Sequence, residues 1–190
     1  MNYPIMASLY EFAFPTLVSV LTTQKELLKK AQEHATEKGI PTSELVEARL
    51  YEDMYPLATQ VVITATTARE TVTQLTGKKL ALLERRDLTL DECLAALDES
   101  IQILEDVKPE SIGVKETDTV ALRTPSREIP MSAEAFVKEY AIPNSFFHLN
   151  MSYAILRMKG VPVGKRDYLK SFWKTINPSA EPAAAAKTSS

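Results

Sequence analysis

The sequence predicts an all-α protein, an antiparallel four-helix bundle with one small β-hairpin ahead of the last long helix. Three observations carry that expectation. Apolar residues recur at helical spacing through four long segments. Helix-stopping glycines and capping residues fall at the ends of those segments. β-Branched residues flanking a turn signal are confined to one short stretch, between Thr119 and Pro130. The connections are too irregular for a repeat architecture, so a bundle is the economical way to bury four apolar stripes.

The first helix is expected from Ser8 to about Lys38, on the line Leu9, Phe12, Leu17, Val20, Leu21, Leu27, Leu28 and Ala31. Gly39 stops it, and Pro15 is where it would bend. Thr42 or Ser43 then caps a short helix to about Leu50, whose glutamates complement the positive helix end. After the break at Met54-Tyr55-Pro56, a second long helix runs from Leu57 to about Leu75 and is closed by Thr76-Gly77. Thr89 and Glu92 have capping-box spacing, in which hydroxyl and carboxylate each satisfy an open backbone amide. A third long helix follows to about Val107. Thr119–Arg123 and Arg127–Pro130 bracket Thr124-Pro125-Ser126 as a hairpin across one end of the bundle. Ser132 caps a fourth long helix reaching about Lys159, which Pro143 must kink or divide and Gly160 ends. Beyond Tyr168, Leu169, Phe172, Trp173 and Ile176 supply one more turn against the bundle. Residues 1–176 read as one domain, and 177–190, small, polar and rich in Ala and Pro, as a disordered tail.

The chain has 190 residues, 45% of them hydrophobic, and a net charge of −3, enough for one substantial core and short of two ordinary domains. Its basic pairs, Lys29-Lys30, Lys78-Lys79, Arg85-Arg86 and Lys165-Arg166, are scattered rather than gathered on one face, which argues against a nucleic-acid partner. The apolar run from Phe12 to Leu21 lacks a basic leader and is too short for a bilayer, so a cytoplasmic protein with no membrane partner is expected. The single cysteine, Cys93, rules out an internal disulfide framework. With five glycines there is neither a phosphate-cradling loop nor a dinucleotide fingerprint, and no Gly-x-Ser-x-Gly turn. No cofactor is expected.

Chemistry concentrates on the last long helix. Asn144, His148 and Ser152 stand at i, i+4, i+8, one polar line on a face that should be buried. Gln60, Thr64 and Thr67 form a similar line on the second long helix. Two such strips facing each other would give a cavity with donors and acceptors on both walls, lined by Phe147, Met151 and Tyr55 and suited to a small neutral or weakly acidic molecule. In that reading His148 is the acid-base group, Tyr153 or Tyr55 a second proton donor, and Tyr55, Gln60, Thr64, Thr67, Asn144 and Ser152 the ligand-binding set. Isomerisation or elimination without a cofactor would suit it. The competing reading is a core histidine paired with a neighbouring helix, with threonines returning hydrogen bonds to their own backbone.

The segment Pro143-Asn144-Ser145-Phe146-Phe147-His148, with Tyr153, Ile155-Leu156-Arg157, Gly160-Val161-Pro162 and Gly164-Lys165-Arg166-Asp167-Tyr168-Leu169, resembles a family of DinB-like bundles catalogued as a domain of unknown function. Leu9-Tyr10, Asp53-Met54, Pro56-Leu57 and Gln60-Val61 extend the resemblance back to about Ser8. The wider superfamily includes metal-dependent thiol transferases and isomerases, which implies a metal held between helices by three histidines, one on the second helix and two on the last. His148 matches one last-helix position. The others fall in Thr64-Ala65-Thr66-Thr67 and Ser152-Tyr153, where hydroxyls are poor ligands for a transition metal, so no metal site is expected. Three functions stay open: a small-molecule-binding bundle, a non-catalytic homodimeric interaction module, and a divergent metal-dependent transferase.

Overall fold

A computed structural model describes residues 8–124 and 127–176. Helix α1 spans Leu9–Lys38, α2 Ser43–Val46, α3 Leu57–Thr76 and α4 Leu90–Glu105. The hairpin β1 (Thr119–Arg123) and β2 (Glu128–Ser132) follows, and then a short α5 (Ala133–Ala135), α6 (Ile142–Met158) and α7 (Lys165–Ile176). The expected tail, 177–190, and the turn residues Pro125 and Ser126 lie outside the described residues.

The helix ends follow local chemistry. Ser8 Oγ accepts from the Glu11 amide at 3.2 Å while Glu11 Oε2 accepts from the Ser8 amide at 3.0 Å, closing a capping box at the start of α1. Thr89 and Glu92 do the same for α4. Gly39 and Gly77 take left-handed conformations, φ 64° and 76°, where a side chain would be strained, and end α1 and α3 there. Helix α2 stops after one turn, short of Leu50, because the chain must turn back for the Leu57 amide to reach the Ala48 carbonyl at 2.9 Å.

Pro143 neither breaks nor divides the fourth long helix. Residues 133–158 stay helical, with a π-helical turn at Phe136–Ala141 just before it, in which the Ile142 amide reaches back to the Val137 carbonyl. In a regular α-helix the Pro143 ring would crowd the Glu139 carbonyl. The wider turn gives it room, and the helical run is not interrupted.

Helices α1, α4, α3 and α6 form a closed ring in that order, and α7 packs outside on α1. Lys25 pairs with Asp98, and Gln32 with Asp91, so α1 and α4 run antiparallel. Gln60 meets His148, and Thr67 meets Asn144, so α3 and α6 do too. Between α3 and α4 the chain makes no tight turn. Residues 77–89 form a strap that travels back along α3, the Leu80 amide on Thr73 Oγ1, the Ala81 carbonyl on Arg69 and Arg85 on Tyr55, before α4 begins. Arg69, 5% exposed, fixes this strap. Its Nε donates to Ser100 Oγ at 3.1 Å and its Nη1 to the Ala81 carbonyl at 3.4 Å, while Nη2 sits 2.8 Å from Glu99 Oε2, an ion-pair distance without hydrogen-bond alignment.

The core inside the ring is aliphatic, with Leu17, Leu21, Leu27, Leu57, Leu75, Leu97 and Leu149 fully buried beside Phe14 and Phe136. The hairpin pairs Val120 with Met131 and Leu122 with Ile129, and rests on the last two turns of α3. Gln74 clasps the open edge of β1, giving Nε2 to the Ala121 carbonyl at 2.7 Å and taking its amide at 3.3 Å, and Glu70 accepts from the Arg123 amide. Helix α7 is three turns long, not one. Its polar start is the outer face of a helix anchored by Lys30–Asp167 at 2.5 Å and by Thr23 Oγ1 donating to the Tyr168 carbonyl. Among the described residues no helix is long and apolar enough to cross a membrane.

Candidate functional site

The two polar lines do meet inside the bundle. Gln60, 2% exposed, gives Nε2 to the Tyr55 carbonyl at 2.9 Å, which turns its Oε1 toward α6, 2.6 Å from His148 Nδ1. An amide oxygen can only accept, so the Nδ1 position carries the proton and donates. Seven residues further along α3, Thr67 Oγ1 gives its proton to the Ile63 carbonyl and receives Asn144 Nδ2 at 2.9 Å. The seam is zipped by direct bonds, each contributing about 0.5–1.5 kcal/mol, and is not parted by the expected cavity at these contacts.

His148 is 7% exposed, and burial, with the Arg85 charge behind it, pushes its pKa down to about 4. The ring is therefore neutral at physiological pH. Its Nε2 has no protein partner among the described residues and is not sealed from solvent. An unprotonated imidazole nitrogen is thus left without a protein partner beside the α3–α6 seam. Phe147, 53% exposed, sets its ring edge-on to the imidazole at 5.2 Å. Tyr55, also exposed, carries Arg85 over its face at 5.5 Å and holds Arg85 Nη1 on its hydroxyl at 3.3 Å.

Not every expected residue joins this group. Thr64 Oγ1 returns to the Gln60 carbonyl at 2.9 Å, which is the backbone role of a helical threonine. Ser152 Oγ donates to the His148 carbonyl and receives Gln24 Nε2 at 2.8 Å, so it faces α1 and not α3. Tyr153, five residues and about 140° around the helix from His148, packs edge-on against Tyr168 of α7 at 5.9 Å. The half-buried Tyr140 lies beside the seam instead. Its hydroxyl pKa is raised by burial and by the Glu70 carboxylate.

Three residues at or beside the site were missed by the sequence reading. Tyr140 continues the line Asn144, His148, Ser152 one step back, at i−4, and that signal was there to be read. Gln24 interrupts the apolar stripe Leu17, Leu21, Leu28, Ala31 on α1, a polar residue where a leucine belongs. Arg85 sits on the irregular strap, and no periodicity announces it.

The resemblance drawn from the sequence implies a metal, and the donor set does not fit one. His148 is the only imidazole in the seam, its Nδ1 is committed to Gln60, and the positions around it offer an amide and hydroxyls. Among the described residues no three His, Cys, Asp or Glu side chains cluster as a metal would need. Two pockets lie elsewhere. One, of about 220 Å³, is at the α2 end, lined by Thr42, Val46, Arg49, Pro56, Leu88 and Thr89; the other, of about 300 Å³, lies against Tyr10, Pro15 and Leu104. His148 lines neither. Cys93 is buried on α4 with its thiol pushed up to about 12, chiefly by burial, and takes no part in the site.

The chain is similar to a crystal structure of a DinB family member protein from Shewanella denitrificans, at 28% sequence identity and a TM-score of 0.73 over 94% of this chain and 96% of that one. No curated protein matches it. Residues 9–169, which hold the ring of helices, the strap, the hairpin and the whole seam, match a family described as Domain of unknown function (DUF1993), and the chain belongs to that family.

Proposed function

We propose that this bundle binds a small neutral or weakly acidic molecule in the groove between α3 and α6, with His148 Nε2 as its proton-accepting group. One observation supports this above the rest. A neutral imidazole is locked in a single tautomer by Gln60, its other nitrogen has no protein partner among the described residues, and the exposed Phe147 ring stands edge-on beside it. Such a nitrogen can accept a hydrogen bond from a ligand, and a bound anion that raises its pKa from about 4 would let it take a proton and return it elsewhere, as an isomerase- or lyase-type reaction without a cofactor requires. Asn144 and Tyr140 supply further polar contacts along the wall. The reading includes a cytoplasmic setting, in keeping with one buried thiol and no disulfide.

A thermal-shift screen of small metabolites against wild type and His148→Gln tests it. Ligands that raise the melting temperature of wild type and lose most of that effect in the variant are expected. A hit that stabilises both proteins equally counts against His148 as a contact.

A second reading has its own observation. The seam is closed by direct hydrogen bonds, Gln60 to His148 and Thr67 to Asn144, as expected of polar groups that fix helix register in a non-catalytic module that pairs with itself. Concentration-dependent sedimentation separates the two, since the module must be dimeric at working concentrations.

A further inference from the structure

We infer that the groove selects ligands bearing a carboxylate, and that Arg85 on the 77–89 strap is the residue that binds it. The inference rests on the reading of His148 as a ligand-facing group and names the ligand class for the same site. Arg85 is exposed and forms no ion pair among the described residues, whereas its neighbour Arg86 pairs with Glu92 at 2.8 Å and Arg69 sits 2.8 Å from Glu99. It is nonetheless held in place. Its guanidinium lies over the Tyr55 ring at 5.5 Å, and Nη1 is fixed on the Tyr55 hydroxyl at 3.3 Å, which leaves the other guanidinium N–H groups unbonded. Tyr55 is tied to the seam in turn, through its carbonyl on Gln60 and Gln60 on His148.

That chain of contacts sets a cation held on Tyr55 near enough to His148 to act on its charge, with the exposed Phe147 ring edge-on to the imidazole. A stacked guanidinium keeps its fork of donors aligned, and a carboxylate is the planar acceptor that the fork fits. The cation also explains how a neutral histidine serves an anionic ligand, since the charge to be matched sits on Arg85 and the ring is left free for the proton. Nearby acidity is already engaged, as Glu70 is buried and accepts from the Arg123 amide. An apolar or aromatic carboxylate, with its body against Phe147 and Tyr55, meets all of these features.

The test uses the full chain labelled with 15N, phenylacetate as the probe and phenylacetamide as its neutral counterpart, read at the ring nitrogens of His148. His34 on α1, the other histidine, is the reference. Phenylacetate is expected to bind about tenfold tighter than the amide, the size of one charge-assisted hydrogen-bonded pair. Added salt should weaken phenylacetate binding alone, and Arg85→Gln should abolish the difference without moving the unfolding midpoint. Equal binding of the two probes, or a preference that survives Arg85→Gln, overturns the assignment of Arg85 while leaving the groove as a binding site. If neither probe perturbs His148, the site reading falls and this inference with it.

Discussion

Gln60 Oε1 lies 2.6 Å from His148 Nδ1, and this one contact decides which nitrogen of the imidazole is available to a ligand. The Tyr55 carbonyl, by taking Gln60 Nε2, decides which way the amide points. Gln60→Leu removes both bonds from a buried position. Expected are a loss of about 1–3 kcal/mol in urea unfolding and a ring that populates both tautomers, visible in its 15N shifts. A ring that keeps one tautomer in Gln60→Leu would show that something other than Gln60 sets it.

The acid limb of stability should carry the signature of His148. In an unfolded chain the imidazole takes its proton near 6.5, but in the bundle only near 4, because burial and the Arg85 charge oppose the cation. Between those values the unfolded chain binds more protons than the folded one. The contribution of His148 is therefore whole above 6.5, falls as pH falls, and is exhausted below about 4. The full drop is on the order of 3 kcal/mol. Urea midpoints for wild type and His148→Gln should diverge in slope over this window and run parallel above it.

Arg69 ties the strap to both α3 and α4. Arg69→Met keeps the buried aliphatic stem and removes the donors, so the cost should be modest, about 1–3 kcal/mol. The local effect should be larger. Amide hydrogen exchange from Leu80 to Arg86 is expected to quicken well ahead of that in α3, and unchanged exchange there would mean that the half-buried Leu80 and Leu83 hold the strap without it.

Two tyrosines distinguish the groove from the outer face of α6. Tyr153→Phe should leave the His148 ring signals and any ligand affinity as they are, because Tyr153 packs on Tyr168. Tyr140→Phe removes a half-buried hydroxyl that acts on Thr67 and Glu70 and should shift the Asn144 side-chain resonances through Thr67, at a stability cost of no more than about 1 kcal/mol. The opposite pattern would move the site to the α7 side.

Much of the architecture could be read from local chemistry. Ser8, Gly39, Gly77 and the Thr89–Glu92 box each act through atoms within four residues, so the sequence shows them directly. The meeting of Gln60 and Asn144 with α6 and α3 was readable too, because buried amides on two apolar helices have few places to go. What was hidden is what depends on distant segments. The π-helical turn answers Pro143 through the backbone before it, and a propensity argument cannot choose between a kink and a widened turn. Ser152 turns toward Gln24 because α1 is the nearer neighbour at that level. Arg85 arrives by way of a strap whose course is set by Arg69, Ser100 and Tyr55, far from it in sequence or structure class.

That strap also bears on how the chain reaches its native state. Since it leads the polypeptide back along α3 before α4 starts, no two consecutive long helices can close as a hairpin; the antiparallel mate of α3 is α6, and that of α4 is α1. Assembly must wait for partners far apart along the chain, so the bundle should fold more slowly than an up-and-down bundle of the same size. A fragment ending at Thr76, holding two of the four long helices and the antiparallel mate of neither, should remain unfolded.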